Sequence, residues 1–229
     1  METTVLALSF RFLKSSVVAV LGASLIAIGA AVPVEAASTT YSAPLRTAVK
    51  SLPVAAESNS WYNRDKYFGV WIDSNKDCQN TRQEVLLQET RMGATYTSSK
   101  RCTVKSGKWV TTWDNKIHTS ASTVQIDHLV PVHEAWGSGA KKWTQAKRVA
   151  FYNDISDKRT LNAQTGTLNA AKGARGPEHW LPPKNRCQYV TDWVAVKKRW
   201  GLSVDPVEKA ALTRLANGCP NVTVTVVRR

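Results

Sequence analysis

The residue pattern of the chain changes at Pro131. Before it, β-prone runs dominate: "ATYTSSKRCTV" (94–104), "KWVTTW" (108–113) and an alternating run that starts at Thr123. The first two are separated by "KSG", which predicts a hairpin with Gly107 at its turn. After Pro131, apolar residues recur at helical spacing as far as Gly218. Strands grouped before helices are typical of the α+β class, so we predict one α+β domain.

The first 36 residues have the pattern of a signal peptide. Arg11 and Lys14 precede an apolar run over residues 17–32, and small residues at Val34 and Ala36 match the positions that a signal peptidase reads. We predict cleavage after Ala36, secretion, and no stable membrane insertion afterwards. A permanent anchor is the less favoured alternative, because glycines and serines interrupt the run.

Two further segments follow in the predicted mature chain. Residues 37–60 are small, polar and proline-containing, although "LRTAVKSL" within them has the pattern of a short helix. We interpret 37–60 as a linker and 61–229 as the folded domain. A domain of this size fits one hydrophobic core.

The chain is strongly basic. It has 31 Lys and Arg residues against 17 Asp and Glu residues, a net charge of +14. Residues 1–36 contain two residues of each sign, so the predicted mature chain keeps the same excess. Such an excess predicts a polyanionic partner, with nucleic acid first and an anionic cell-surface polymer second. Solubility alone is the alternative explanation.

Four cysteines follow the predicted signal peptide: Cys78, Cys102, Cys187 and Cys219. An even number in an exported chain predicts two disulfides. There is no CxxC or Cys/His ligand spacing, which argues against structural zinc. Of the three possible pairings, we favour Cys78 with Cys102 and Cys187 with Cys219, because each closes a local unit.

The alternating run ends on Asp127 and His128. Of the four histidines in the chain, only His128 has a carboxylate beside it and a strand before it. Neighbouring side chains on a regular strand point to opposite faces, so the two can cooperate only if the strand ends or twists there. Pro131 makes such an ending plausible. For an isolated Asp-His dipeptide, the competing interpretation is a buried histidine held by its neighbour.

Longer stretches around this pair resemble a known family. "IDHLVPVHEAWGSGA" (126–140), "RVAFYND" (148–154) and "TLNAQTGTLNAAKGARGPEHWLPP" (160–183) are similar to the HNH endonuclease superfamily. The branch they resemble is the small secreted proteins related to the C-terminal nuclease domain of GmrSD-type restriction enzymes. The resemblance implies a ββα-metal core with additional helices, in which a hairpin and a helix hold one divalent ion.

The resemblance also implies roles for four residues. His128 matches the general base that activates water, and Asp127 matches the first metal ligand. Asn169 matches the helix residue that completes the metal site, and Lys172 matches a lysine that meets phosphate. Carboxylate and amide oxygens suit Mg²⁺, with Mn²⁺ or another divalent ion as the alternative.

The middle asparagine of the HNH pattern is ambiguous in this chain. Asn162 is one candidate for a catalytic role, and Asn153 in "FYND" is the other candidate for orienting His128. Glu134, at the start of the following helix, is either an acid behind His128 or only a charge at a helix terminus.

We therefore expect a secreted, monomeric HNH endonuclease that cleaves DNA, or RNA as a second substrate, with little sequence preference. The first alternative is a cationic binding protein on an HNH-like scaffold that holds nucleic acid or an anionic polymer without cutting it. The second is an exported glycan-active enzyme that uses carboxylates such as Asp127 and Glu134.

Overall fold

A computed structural model describes residues 1–2 and 39–229 of the chain. The predicted signal peptide and its cleavage point therefore lie outside the described residues, apart from the first two positions. The elements below all belong to one unit, Ala37–Arg229. Among the described residues, no helix combines the length and the apolar character that crossing a membrane requires.

Residues 39–229 form a mixed α/β fold with seven strands and eight α-helices. The strands are β1 (Thr40–Pro44), β2 (Thr95–Tyr96), β3 (Val104–Val110), β4 (Ile117–Ser120), β5 (Val124–His128), β6 (Leu161–Thr165) and β7 (Thr223–Val227). The helices are α1 (Leu45–Lys50), α2 (Arg64–Tyr67), α3 (Thr81–Glu89), α4 (Val132–Gly137), α5 (Gln145–Tyr152), α6 (Gly166–Lys172), α7 (Arg186–Trp200) and α8 (Pro206–Asn217).

The two ends of the unit pair with each other. β1 runs antiparallel to β7, from Thr40 opposite Val227 to Pro44 opposite Thr223. The valines of β7 alternate, and Val224 and Val226 are buried. The linker predicted for 37–60 is thus wrong for residues 40–52, because they form a strand and a helix of the folded body. The short helix predicted within this segment is α1.

α1 packs into the main core through one face. Leu45, Ala48 and Val49 are buried and follow the spacing of one helical stripe. They join the core that α7 and α8 build around Trp193, a fully buried side chain. α7 is buried along most of its length and packs against α1, α8 and β7.

A three-stranded sheet of order β2-β3-β4 forms the early β-rich part. The hairpin predicted around Gly107 is wrong in its turn, since Gly107 lies inside β3 and the β3–β4 connection spans residues 111–116. A Cβ on Gly107 would meet the Thr90 hydroxyl at 2.6 Å and the Trp109 ring at 2.8 Å. The glycine is therefore required by close packing rather than by a turn.

β5 and β6 form a separate antiparallel pair, and α6 follows β6 without a loop. Asp127 lies opposite Asn162, and His128 lies opposite Leu161. The strand predicted at 123–127 and the helix predicted after Pro131 correspond to β5 and α4. This strand–strand–helix unit positions the residues discussed below.

Both disulfides connect as the sequence predicted. Cys78 is bonded to Cys102, and Cys187 to Cys219. The first joins the loop before α3 to the β2–β3 connection. The second joins the start of α7 to the end of α8, so each covalent bond secures one local unit.

Candidate active site

An open cleft of about 440 Å³ lies beside β5 and α6. Asp127 and His128 line it from the end of β5, and Asn169 lines it from α6. Tyr62, just before α2, and Arg64, at the start of α2, also line the cleft. The cleft thus gathers three of the residues singled out in the sequence.

His128 is held in one orientation by a backbone carbonyl and aromatic rings. Its Nε2 lies 2.9 Å from the carbonyl oxygen of Tyr152, so Nε2 carries the hydrogen and Nδ1 keeps a lone pair. The Trp71 indole stacks on the imidazole at 5.0 Å, with only 7° between the planes. This packing leaves His128 6% exposed.

The environment of His128 favours the neutral imidazole. Burial is the main cause that lowers its pKa from 6.5 to about 3. The Tyr152 carbonyl raises this pKa, whereas the nearby cations Arg64 and Lys172 lower it. At neutral pH the ring is therefore unprotonated, which is the form that can accept a proton.

Asn153 fixes the backbone that supports His128. Its Oδ1 accepts from the Ile72 amide at 3.0 Å and the Thr81 hydroxyl at 2.6 Å, and its Nδ2 donates to the Val70 and Val149 carbonyls. Asn153 directly follows Tyr152, whose carbonyl contacts the imidazole. The structure thus places Asn153 in contact with backbone and a hydroxyl, one residue away from the group that orients His128.

Asp127 forms a buried ion pair with Lys172. The Lys172 Nζ lies 2.9 and 2.8 Å from the two carboxylate oxygens and 2.8 Å from the His128 carbonyl. Burial raises the pKa of Asp127, and the charge of Lys172 lowers it in part. Burial likewise lowers the pKa of Lys172, and the charge of Asp127 raises it in part. A charged ammonium has three N–H donors, one for each of these three acceptors. We therefore describe the pair as ionised.

This burial changes the expectation for Lys172. Its side chain is 0% exposed and its ammonium lies 5.4 Å from the centre of the Trp113 ring. With all three ammonium hydrogens used inside the protein, Lys172 is not placed to bind a phosphate in the cleft. The expectation was wrong because helical spacing puts positions 169 and 172 on neighbouring parts of α6 but does not determine burial.

Asn169 and Asp127 offer oxygen atoms to the same cleft. The Asn169 Nδ2 donates to Gln125 Oε1 at 3.0 Å, which leaves the amide oxygen as the ligand atom on offer. Each Asp127 oxygen receives one hydrogen bond from Lys172 and retains a further lone pair. Oxygen donors of these two types fit a hard divalent ion.

Asn162 is not brought to His128. It lies opposite Asp127 in the ladder, and its Oδ1 accepts from Gln164 Nε2 at 2.8 Å. It lines a separate small cavity with Asn185. The residue paired with His128 is Leu161, an apolar side chain, so of the two candidate asparagines Asn162 is not placed to orient His128.

Glu134 also lies away from the cleft wall. Its carboxylate contacts the Lys197 ammonium at 2.5 Å and the Ser138 hydroxyl at 2.7 Å. Glu134, Glu57 and Glu208 offer oxygens within 4.8 Å of one another, a spacing compatible with a metal ion. Lys197, fully buried, contacts both Glu134 and Glu208 and already supplies a positive charge there. Glu134 is therefore part of an internal charge cluster, not an acid behind His128.

Sequence reasoning missed the part of the site contributed by residues 62–71. Arg64 donates to the Tyr152 hydroxyl at 2.9 Å, and Tyr62 packs edge-on against His133 with ring centroids 4.7 Å apart. Both residues, and His133, line the cleft. The only sequence signal was the aromatic and basic character of the segment, which gives no position in space.

The fold and the cleft define a disulfide-bonded, mixed α/β protein with a buried acid–histidine pair. Residues 73–215, more than half of the chain, match the family described as GmrSD restriction endonucleases, C-terminal domain. An "Uncharacterized secreted protein" of Arthroderma benhamiae is 42% identical over 160 residues, which cover 69% of this chain and 76% of that protein. No solved structure matches the chain.

The chain belongs to the family of GmrSD restriction endonuclease C-terminal domains. Membership confirms the resemblance and indicates a nuclease-related function. The matched range includes every residue of β5, β6 and α6, although Tyr62 and Arg64 lie before it.

Proposed function

We propose that this protein is an exported, metal-dependent HNH endonuclease that hydrolyses phosphodiester bonds of DNA, with RNA as a second substrate and little sequence preference. The observation that carries the proposal is the meeting of Asp127, His128 and Asn169 on one cleft. The family supplies the reaction class, since its description is that of restriction endonucleases.

The ββα-metal core is the part of the fold to which we assign catalysis. Its proposed members are β5, β6 and α6. Two features support this assignment: the antiparallel pairing of the strands and the direct continuation of β6 into the helix. Asp127 then ends one strand, and Asn169 lies on the helix that follows the other.

His128 is the proposed general base. With Nε2 donating to the Tyr152 carbonyl, the lone pair on Nδ1 is available to take a proton from water as its oxygen attacks phosphorus. The carbonyl and the stacked Trp71 ring keep the imidazole from rotating. Its orientation is thus established before substrate binds.

Asp127 and Asn169 are the proposed ligands of one divalent ion, with Mg²⁺ first and Mn²⁺ as the alternative. When bound, such an ion would stabilise negative charge on the phosphate and the leaving oxygen. Lys172 then acts on the ligand itself, because its two hydrogen bonds fix the Asp127 carboxylate in place.

Arg64 takes the phosphate-binding role that the sequence suggested for Lys172. It lines the cleft and is exposed, and the Tyr152 hydroxyl holds one of its nitrogens. A guanidinium retains further N–H donors after this bond, and these suit phosphate oxygens.

Export and the monomeric state are parts of the same proposal. Two disulfides persist in an oxidising compartment, and the relative from Arthroderma benhamiae is called secreted. The net charge of +14 favours association with polyanions outside the cell.

Cleavage of supercoiled plasmid by the oxidised protein tests the proposal. We expect nicking with Mg²⁺ or Mn²⁺, loss of nicking in EDTA, and a loss of about 100-fold or more in His128→Ala, because a positioned general base contributes roughly 10²- to 10⁴-fold. His179→Ala is the matched control, because His179 lies on the surface, and it should cut like the wild type. Circular dichroism of each variant would establish that it is folded.

Three outcomes would contradict the assignment. Equal cutting by folded His128→Ala would remove His128 as the base. Cutting that persists in EDTA would exclude the metal-dependent mechanism. Binding of DNA by the wild type without cutting would favour the cationic binding protein instead. The glycan-active alternative has no support from the cleft, because Glu134 does not line it with Asp127.

A further inference from the structure

The segment before α2 carries an aromatic side chain on the protein surface. Trp61 is 82% exposed, whereas Trp109, Trp113 and Trp193 are buried. Its neighbour Tyr62 lines the cleft, and consecutive Cα atoms are about 3.8 Å apart. Trp61 therefore lies close to the rim of the cleft that contains His128.

The backbone at Trp61 is in an unfavourable conformation. Its φ is 65°, in the left-handed region that suits glycine or asparagine. The Tyr62 amide donates to the Asn59 carbonyl at 3.4 Å, so Trp61 is the third residue of a turn, a position where positive φ usually selects small residues. The Trp61 ring is exposed and its backbone conformation is unfavourable, so the ring does not stabilise the fold. Strained residues of this kind are found at binding sites, and we therefore consider a role in binding.

The surrounding residues fix this position. The Tyr62 ring packs edge-on against His133 and Trp136, at 4.7 and 6.0 Å. The Asn63 side chain accepts from the Lys66 amide at the start of α2. Arg64 is anchored on the Tyr152 hydroxyl. The Trp61 indole and the Arg64 guanidinium therefore belong to one segment, residues 61–64, whose position is fixed by these contacts.

We propose that Trp61 stacks on an unpaired base of a single-stranded nucleic acid whose phosphate lies at Arg64 and His128. This inference rests on the proposed nuclease function and adds the form of the substrate. Base faces are covered by neighbouring bases in a duplex, so an indole reaches one only when the strand is unpaired. Stacking accepts any base, which agrees with low sequence preference.

Binding of a fluorescein-labelled oligothymidylate tests the inference, measured by anisotropy at fixed salt in EDTA, with strand integrity checked on a gel. Trp61→Asn removes the ring and suits the positive φ, so the variant should fold and melt no lower than the wild type. We expect its Kd to rise roughly 5- to 150-fold, the range that corresponds to loss of one base–aromatic stack. Trp61→Tyr should stay within about 3-fold, because a ring remains.

Two controls separate stacking from other effects. Lys76→Asn makes the same backbone change at another exposed residue with positive φ, and a fall in affinity as large as that of Trp61→Asn would overturn the inference. A blunt duplex of equal length should bind wild type and Trp61→Asn equally. If the duplex loses as much affinity as the single strand, Trp61 does not select unpaired bases.

Abasic positions provide the sharpest comparison. Moving one abasic site along the oligonucleotide should identify a position that weakens binding to the wild type but not to Trp61→Asn. Absence of any such position would overturn the stacking assignment. Failure of the wild type to cut any strand with Mg²⁺ or Mn²⁺ would instead refute the proposed nuclease, while the abasic comparison would still report on the stack.

Discussion

At the scale of single residues, the buried ammonium of Lys172 neutralises the buried carboxylate of Asp127. It compensates Asp127 and also binds the carbonyl of His128, so one side chain supports both residues at the end of β5. A carboxylate left without its partner in such a place carries a large desolvation cost. Lys172 is therefore essential to the arrangement of the cleft although it does not face it.

We expect Lys172→Met to lower the free energy of unfolding by about 3–5 kcal/mol, the usual loss when one member of a buried pair is removed. Urea denaturation followed by circular dichroism would measure it. Lys116→Met is the control: Lys116 is 67% exposed and 3.9 Å from Asp114, so its loss should be about 1 kcal/mol or less. Equal losses of unfolding free energy in the two variants would show that the buried pair with Asp127 stabilises the protein no more than an exposed pair does.

A second residue-scale effect concerns divalent ions. In Lys172→Met, the Asp127 carboxylate lacks its internal cation, and Mg²⁺ bound there would replace part of the missing charge. The melting temperature of this variant should therefore rise more with added Mg²⁺ than that of the wild type. An equal response in both proteins would argue against Asp127 as an ion ligand.

At the scale of elements, the irregular segment from Pro53 to Asn63 is attached to the helices by carboxyl groups. Glu57 meets Glu134 of α4 and Ser138 directly after it, near Lys197 of α7 and Glu208 of α8. Burial is the main cause that raises the pKa of Glu57 to about 8 and that of Glu208 to about 7, from an ordinary value of 4.5. At neutral pH this segment is thus held partly by a protonated carboxyl.

The contribution of Glu57 and Glu208 to stability should therefore fall as pH rises from about 5 to about 8. The folded protein keeps protons on Glu57 and Glu208 that the unfolded chain releases near pH 4.5, so their contribution is complete below that pH and is lost as pH passes 7 to 8. Glu57→Gln keeps a neutral side chain at all pH values and should reduce the slope. Melting temperatures between pH 5 and 9 would measure this. Equal slopes in the wild type and Glu57→Gln would be incompatible with the assignment.

Elements with local signals were predictable, and elements defined by distant partners were not. α8 carries local signals in its own sequence, because Asp205 caps it, Pro206 opens it and Gly218 ends it. β1 was missed because its partner β7 lies about 183 residues away and its own sequence is small and polar. Gly107 was assigned to a turn because sequence does not show the Thr90 and Trp109 side chains that surround it.

The candidate site was predictable to the extent that its residues follow one another in β5 and α6. Asp127, His128 and Asn169 came from family resemblance, and the structure brings them to one cleft. Arg64 was not found, because it lies at the start of α2 and reaches the cleft only through the packing of α2 against α5, which is distant along the chain. Lys172 was identified as important, but its burial depends on Asp127 and Trp113, which are distant along the chain.

At the scale of the whole molecule, the two disulfides restrict the unfolded chain in two separate regions. Cys187–Cys219 spans 32 residues and Cys78–Cys102 spans 24. Chain entropy predicts about 3–4 kcal/mol of stabilisation for each loop of this size. The two contributions should be nearly equal, because the dependence on loop length is logarithmic.

Replacing Cys187 and Cys219 together with alanine should lower the free energy of unfolding by about 3–4 kcal/mol. The double replacement of Cys78 and Cys102 serves as the matched control and should lose a similar amount. Urea denaturation of both variants, beside the wild type with and without reductant, would measure the losses. Unchanged stability in either variant would contradict a contribution from its crosslink.

The antiparallel β1–β7 pair also determines how the molecule would respond to mechanical force. Thr40 is paired with Val227, so the outer ends of both strands lie at the same end of the ladder. Tension applied between them would load one residue pair at a time, and the strands would unzip rather than slide past each other. Stretching would therefore detach the two strands at low force, while the disulfide between Cys187 and Cys219 keeps α7 and α8 joined behind them.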